Sequence, residues 1–493
     1  MNKVRAYIHP SGLRFILTEN GVSESCAASL MIRVGSIYEP PPLHGGSHII
    51  EHMMFRGTSG MPNKSQLSET LDEMGASYNA YTDYTMTCYH IKVQKKYIGK
   101  AIQMLCDMVS DSVFHKKDLG SELNVVVEEL RRERDDPASY ISELYYQTIF
   151  QGTPFGLSIG GTQEEVLATK YKDLREFWLR HYILQNMVLS VSGDLSIGDI
   201  QQAVNRSQLL LGNLQSHPPN AFLIRNVPQV HPRLNIQYRK TMQQVQVTLG
   251  FPVPFGLDHP DRFVLYVMKT ILGGNMSSRL FIEMRDVYGI AYSVHASVGL
   301  FDTTGEFSVS SGVDGSGLLT GNLDEKNKKV KGDAIAIILR QLYRIREERV
   351  PAKELHKAKE YIIGTTLLDL EDHATVAEFY GKQLLHHRKV LTPQQYLAEI
   401  KKVTADDIHR VAQLILRPHA FNLVLIGKVD LAKAKQYVKD TMSQWIHTLE
   451  KNTASSISLP TSTSLPTSPT TSTVPSSLTS STIQSNPLRW FGL

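Results

Sequence analysis

Residues 44–52 read HGGSHIIEH, and His48, Glu51 and His52 within them spell H-x-x-E-H. On a helix His48 and His52 stand at i and i+4, so both imidazoles project from one face. Glu51, three residues after His48, leans to the same side. Ile49, Ile50, Met53 and Met54 fall on the opposite face, where they suit a core. Two neutral imidazoles one turn apart grip one small cation, and a carboxylate beside them moves a proton. That is the minimum kit of a zinc hydrolase. His44 stands four residues before His48 and offers a rival pair. Gly45 and Gly46 follow it and interrupt or start a helix, so His44 reads as a loop residue at the helix entrance.

Catalytic zinc usually takes three protein groups and one water, so a further ligand has to come from elsewhere. Residues 121–133, SELNVVVEELRRE, are the best candidate stretch and read as a helix. Glu122 and Glu129 are seven residues apart and share a face; Glu133 lies one turn further. Glu128 points about a quarter turn away.

Taken together, these motifs resemble the M16 metallopeptidases, the family of pitrilysin, insulin-degrading enzyme and the mitochondrial processing peptidase. The resemblance rests on His48-x-x-Glu51-His52 followed, 77 positions after His52, by Glu129 inside a Glu-x6-Glu helix, and it covers roughly residues 5–445. It implies that His48, His52 and Glu129 hold one zinc ion per chain, that Glu51 is the general base, and that Glu122 stands behind the ligands and orients one of them. Gly75, Asn79 and Ala80 match the family's G-x-x-x-N-A stretch. There the family has an edge strand that receives a peptide substrate, which makes Asn79 and Ala80 substrate-binding residues. Arg285 and Tyr292 match an Arg and a Tyr seven residues apart that bind the substrate backbone and help the tetrahedral intermediate. Asn275 stands where a small Gly is common and Tyr288 where a charged residue is common; neither touches the implied chemistry.

The implied activity is zinc-dependent endopeptidase action on extended or unfolded peptides. Relatives of the fold also serve as core proteins of a respiratory complex, so the alternative is a non-catalytic core or assembly subunit. Such subunits are expected to lose ligands or the base, and none is missing here. Larger relatives carry four such halves in one chain. A chain of two halves reaches that arrangement by pairing with a second copy, so a homodimer is expected.

The elements that position these residues must form more than one domain, because 493 residues exceed a single ordinary core. A formal charge of +4 is small for this size and argues neither for nor against nucleic acid, but no Arg/Lys stripe interleaved with aromatics appears, so nucleic acid is not the expected partner. Cys26, Cys88 and Cys106 lack C-x-x-C spacing, so they form neither a disulfide framework nor a second zinc site and fit a reducing compartment. No run of 18 apolar residues exists, so no membrane span is expected. The first residues run straight into a strand and turn, without the apolar core of a signal peptide or the length of a transit peptide. The reading is a soluble, cytoplasmic protein.

Along the chain, residues 7–8 and 13–17 flank Pro10-Ser-Gly12 as a hairpin, and 27–35 form a strand. Residues 65–74 are a helix stopped by Gly75, and 78–91, rich in Tyr and Thr, are strand-like. Helices follow at 96–110, 117–134 and 139–150, then a buried strand run, NMVLSVSGD, at 186–194. The chain then starts again. A strand at 244–251 parallels 27–35, a helix at 263–272 ends in two glycines, and 422–427 echoes 186–193. The second helix carries no H-x-x-E-H.

The expected fold is α+β: two homologous α/β-sandwich domains, each a mixed, mostly antiparallel sheet packed with helices. The metal-binding catalytic domain takes residues 1–204, a Pro-containing linker 205–233, and a C-terminal domain without the metal motif 234–448. A tail takes 449–493; its stretch 452–488 is dominated by Ser and Thr, carries no charge and is expected to be disordered. Residues 324–331, with their run of lysines, are expected as an exposed loop.

Overall fold

In a computed structural model of the chain, residues 3–19, 23–210, 229–440 and 443 are described, apart from 316–317, 319–322, 325–328, 331–332 and 388. The expected tail at 449–493 and the middle of the expected linker, 211–228, lie outside the described residues.

Strands β1 (Lys3–Ile8), β2 (Arg14–Glu19), β3 (Ser25–Ile32), β4 (Ser77–Thr82), β5 (Thr87–Gln94) and β6 (Met187–Gly193) form one sheet in the order β1-β2-β6-β3-β5-β4. Only β2 and β6 pair in parallel. The N-terminal hairpin is thus present, and β4 is an edge strand. Strands β7 (Arg233–Tyr238), β8 (Gln244–Val253), β9 (Ala291–Leu300) and β10 (Gly305–Asp314) join a second sheet. A two-stranded ribbon, β11 (Leu323–Asp324) and β12 (Lys329–Val330), lies apart from it, inside the stretch read as a charged loop. The last strand, β13 (Asn422–Gly427), completes the second sheet in the order β7-β13-β8-β10-β9. Here too a single pair, β7 with β13, is parallel. The second sheet therefore repeats the first without a counterpart of β1, and the echo between 186–193 and 422–427 is two central strands in equivalent places.

Helices α1 (Gly46–Met54), α2 (Lys64–Glu73), α3 (Ile98–Ser110), α4 (Lys116–Asp135) and α5 (Pro137–Ile149) follow the first strands. Gly75, at φ +58, turns the chain out of α2 in a conformation that costs glycine little. Asp136 separates α4 from α5 and caps the latter, its carboxylate accepting the Ala138 N–H at 3.2 Å, with Pro137 at the first helical position.

The sheets are covered on both faces, which explains why every residue of β6 and β13 is buried. Leu189 and Val191 enter the core of the first half, while Val188 faces Leu385 on the helix His373–His386, a segment of the second half. The exchange is mutual. Helix α5, from the first half, packs on β13, where Leu144, Tyr145 and Ile149 meet Val424 and Ile426. Two glycines let the exchanged helices seat closely. A Cβ on Gly250 would lie 2.0 Å from the Tyr145 hydroxyl, and one on Gly381 would lie 2.8 Å from the Met31 sulfur. Ion pairs Arg33–Asp302 and Lys92–Asp372 cross the same boundary.

No helix among the described residues is long and apolar enough to cross a membrane. The three cysteines are free and buried, and burial pushes their thiols up.

The exchanged helix α5 also places Tyr145 against Glu306 of β10, whose carboxylate accepts the phenol at 3.2 Å in a fully buried setting. Burial pushes this carboxyl from 4.5 up to about 7. A folded-state value above the unfolded one means that the contribution of Glu306 to stability is complete below about 4.5 and is lost as pH rises through about 7. Glu306→Gln should therefore be the more stable form at pH 8, by about 3 kcal/mol at most on ~1.4 kcal/mol per pKa unit, and should gain little at pH 4.5. Melting curves of both proteins across this range check it. Parallel pH profiles would show that burial does not shift Glu306 from its ordinary value.

Candidate metal centre

Glu39 closes the N-terminus of α1. Its carboxylate accepts the Gly45 N–H at 2.8 Å and the Ser47 N–H at 2.7 Å, two donors that the first helical turn leaves open. Burial pushes this carboxyl up to about 8. Gly45 sits at φ +86, and a Cβ there would lie 2.4 Å from the Gly160 carbonyl oxygen. The two glycines therefore start the helix, and His44 stays outside it, as the spacing suggests. Ile49, Ile50, Met53 and Met54 are completely buried in the first core. With that face fixed, the opposite face turns His48, Glu51 and His52 toward α4.

The His48 and His52 rings meet edge to face, 4.8 Å between centroids. Glu129 Oε2, from α4, lies 3.7 Å from His48 Nε2 and 3.4 Å from His52 Nε2. Ligands held about 2.0–2.2 Å from a tetrahedral zinc stand about 3.4 Å from one another, so the spacing fits a shared zinc ion. Donor atoms of His48, His52 and Glu129 all lie within 4.8 Å of one another. His52 Nδ1 is 3.1 Å from Glu122 Oε2, and the other oxygen of Glu122 pairs with Arg56. An ionised carboxylate only accepts, so His52 carries its proton on Nδ1 and presents a lone pair at Nε2. Burial, and then the neighbouring His52, lower His48 to about 4, which leaves a neutral imidazole at pH 7. Its Nδ1 is buried and has no hydrogen-bond partner among the described residues.

Glu51 is nearly buried, which pushes its carboxyl up, and its Oε2 accepts the Thr82 hydroxyl at 2.6 Å. His48, Glu51 and Glu129 line a cavity of about 510 Å³ together with Ala80, Tyr81 and Thr82 of the edge strand β4. Glu133 and Glu143 line it as well. Glu128 instead pairs with Arg131 on the helix surface.

Of the residues singled out in the sequence, His48, His52 and Glu129 come together, with Glu51 on the same wall and Glu122 behind His52. Ala80 lines the cavity; Asn79, exposed on β4, accepts the Ala80 N–H on its own Oδ1 at 2.9 Å. Arg285 and Tyr292 do not line it. Arg285 lies in the π-helical turn Ile282–Val287, and Tyr292, 75% exposed, lies on β9, the edge strand of the second sheet. The Arg285 guanidinium stacks over the Tyr292 ring at 4.9 Å. Three residues at the centre were not anticipated: Glu39, Arg56 and Thr82. Arg56 had a signal, four residues after His52, and Thr82 follows the matched Asn79-Ala80 pair on one strand. Nothing in the sequence marks Glu39.

Residues 14–163 match the model of the insulinase family, peptidase family M16, and residues 169–362 match the M16 inactive domain. An uncharacterized zinc protease of Streptomyces coelicolor is 30% identical over 418 residues, 84% of this chain and 87% of its own length. A protease from Helicobacter pylori of known structure, 19% identical, superposes with a TM-score of 0.78 over 86% of this chain and 99% of its own. A chain of Complex III2 from Candida albicans, in a structure with Inz-5 bound, is 16% identical and superposes with a TM-score of 0.71 over 88% of this chain and 99% of its own. These two likenesses are likenesses of fold.

The contact between Glu122 and His52 has a measurable consequence. Glu122→Gln weakens the acceptor behind the ligand, so zinc affinity should fall about 10–100-fold, read by competition with a chromophoric chelator. Glu128→Gln, on the outer face of the same helix, should leave it unchanged. Equal affinities in both variants would remove Glu122 from the centre.

Proposed function

This chain belongs to peptidase family M16, and on that premise we propose that it is a zinc-dependent endopeptidase acting on extended or unfolded peptides. The observation that carries the reading is the convergence of His48, His52, Glu129 and Glu51 on one cavity beside the open edge of β4. His48, His52 and Glu129 would hold one zinc ion per chain. Bound zinc supplies Lewis acidity, polarising a carbonyl and making water a nucleophile near neutral pH.

The chain's own residues do the rest. Glu51 takes the proton from the attacking water on its carboxylate and delivers it to the leaving amine nitrogen. Its burial raises its basicity toward that task. Strand β4 pairs with β5 on one side only, so its other edge can take an extended peptide as an added strand. The Ala80 N–H, bonded to its neighbour's side chain, is a donor that a substrate carbonyl can take over. Main-chain pairing of this kind accepts many sequences. A purely assembly role gives no reason for Glu122 and Arg56 to brace His52.

Arg285 and Tyr292 would bind the substrate backbone and the developing oxyanion. Neither lines the cavity of its own chain: Tyr292 lies on the edge strand of the other half and Arg285 in the helical turn before it. In this reading they serve the zinc site of a second copy in a homodimer.

Two experiments test these assignments. Glu51→Gln should keep its zinc but lose at least ~100-fold in kcat on an unstructured peptide, and a chelator should abolish wild-type turnover until zinc is restored. Near-wild-type turnover by Glu51→Gln sinks the base assignment. For the dimer, Glu51→Gln and Arg285→Ala proteins should each be nearly inactive, the second by about 10²–10³ in kcat. Mixed and allowed to exchange subunits, they should recover activity. Proven exchange without recovery means that Arg285 acts within its own chain or not at all.

A further inference from the structure

Glu51 has three rotatable side-chain bonds, and among the described residues one hydrogen bond holds its carboxylate: that from Thr82 Oγ1 to Oε2, at 2.6 Å. Thr82 lies on strand β4, apart from the helix that carries the H-x-x-E-H residues. The strand that carries it is itself anchored. Tyr81 donates its hydroxyl to Glu378 Oε1 at 2.8 Å, and Glu378 sits on the exchanged helix His373–His386, where Lys382 pairs with it. Successive side chains of a strand point to opposite faces. Strand β4 is therefore tied through Tyr81 to the second half and through Thr82 to Glu51. The same strand offers the open sheet edge, so a peptide paired with it and the carboxylate of Glu51 share one frame.

We propose that Thr82 is a positioning residue for Glu51, its hydroxyl holding Oε2 so that Oε1 faces the reacting water. The inference rests on Glu51 being the base. Glu51 takes the water proton on Oε1 and passes it to the amine nitrogen as the C–N bond breaks. Thr82 keeps its own proton throughout, and its hydrogen bond to Oε2 stays formed. Its contribution is orientation, the term that a misplacement of about 1 Å is enough to lose.

Valine matches threonine in shape and lacks the hydroxyl; serine restores it. In the full-length zinc-loaded protein, with an unstructured peptide as substrate, Thr82→Val should lower kcat about 10–100-fold, the range of one hydrogen bond to a charged group. KM, bound zinc and melting temperature should stay at wild-type values. Thr82→Ser should return to within about threefold of wild type, on the same ground. In a Glu51→Gln background the valine substitution should change the residual rate little, because the group it positions is gone. Thr82→Ala replaces the valine variant if that protein does not fold. A kcat at the wild-type value in Thr82→Val, with Glu51→Gln inactive, overturns this inference and leaves the peptidase reading standing. So does a loss that tracks zinc or melting temperature, or a serine variant no better than valine. Turnover by Glu51→Gln at the wild-type rate defeats the peptidase reading's base first, and this inference with it.

Discussion

The metal centre depends on the inability of α1 to rotate. Four side chains on one face of a nine-residue helix, Ile49, Ile50, Met53 and Met54, are wholly buried. Each fully buried aliphatic side chain stabilises by about 1.5–3 kcal/mol, so turning this face outward costs more than the hydrogen bonds of the site return. Glu39 fixes the start of the helix from outside, through the Gly45 and Ser47 amides. With rotation and start both set, His48 and His52 have one place to point. The acidic face of α4 meets them there, supplying Glu129 on the cavity side and Glu122 behind the ring of His52.

Strand β4, which also lines the cavity, is tied to the second half of the molecule through Tyr81 and Glu378. Each half lends the other a helix: α5 covers the second sheet and His373–His386 covers the first. Neither sheet has a complete cover of its own. Val188 and Val424, apolar on the face that helices from the same half do not reach, would be exposed without the exchange. That shared apolar surface is why two halves of one topology pack against each other.

Much of this was readable from the chain. Periodicity placed α1, α2 and α4, and Gly75 marked the end of α2. The echo of 186–193 in 422–427 foretold two sheets of one plan, because a strand buried on both faces reads as an unbroken apolar run. The spacing of Glu122 and Glu129 put them on one face, and they do meet the two histidines. What stayed hidden has a common cause. The helix exchange, the Glu39 cap and the bond from Thr82 to Glu51 join segments far apart in the chain or use irregular backbone, and no local period records them. The ribbon at β11 and β12 escaped for another reason. Two-residue strands in a lysine-rich stretch give no alternation to read.

The duplication also explains where chemistry was kept and where it was lost. The helix Arg262–Gly273 follows β8 as α1 follows β3; ten of its twelve residues are buried, and the half-buried pair, Tyr266 and Lys269, stands three apart on one face. Neither a phenol nor an ammonium is a usual zinc ligand, so this helix offers no counterpart of the imidazoles in the second half. Its polar groups stand instead at the sheet edge, where Tyr292 is open and Arg285 lies against its ring. Strand β9 is to the second sheet what β4 is to the first. One copy of the plan thus keeps a helix face for ligands beside its edge strand, and the other keeps only the edge. On the peptidase reading, a peptide laid along an edge needs both kinds of surface, one to cut and one to hold.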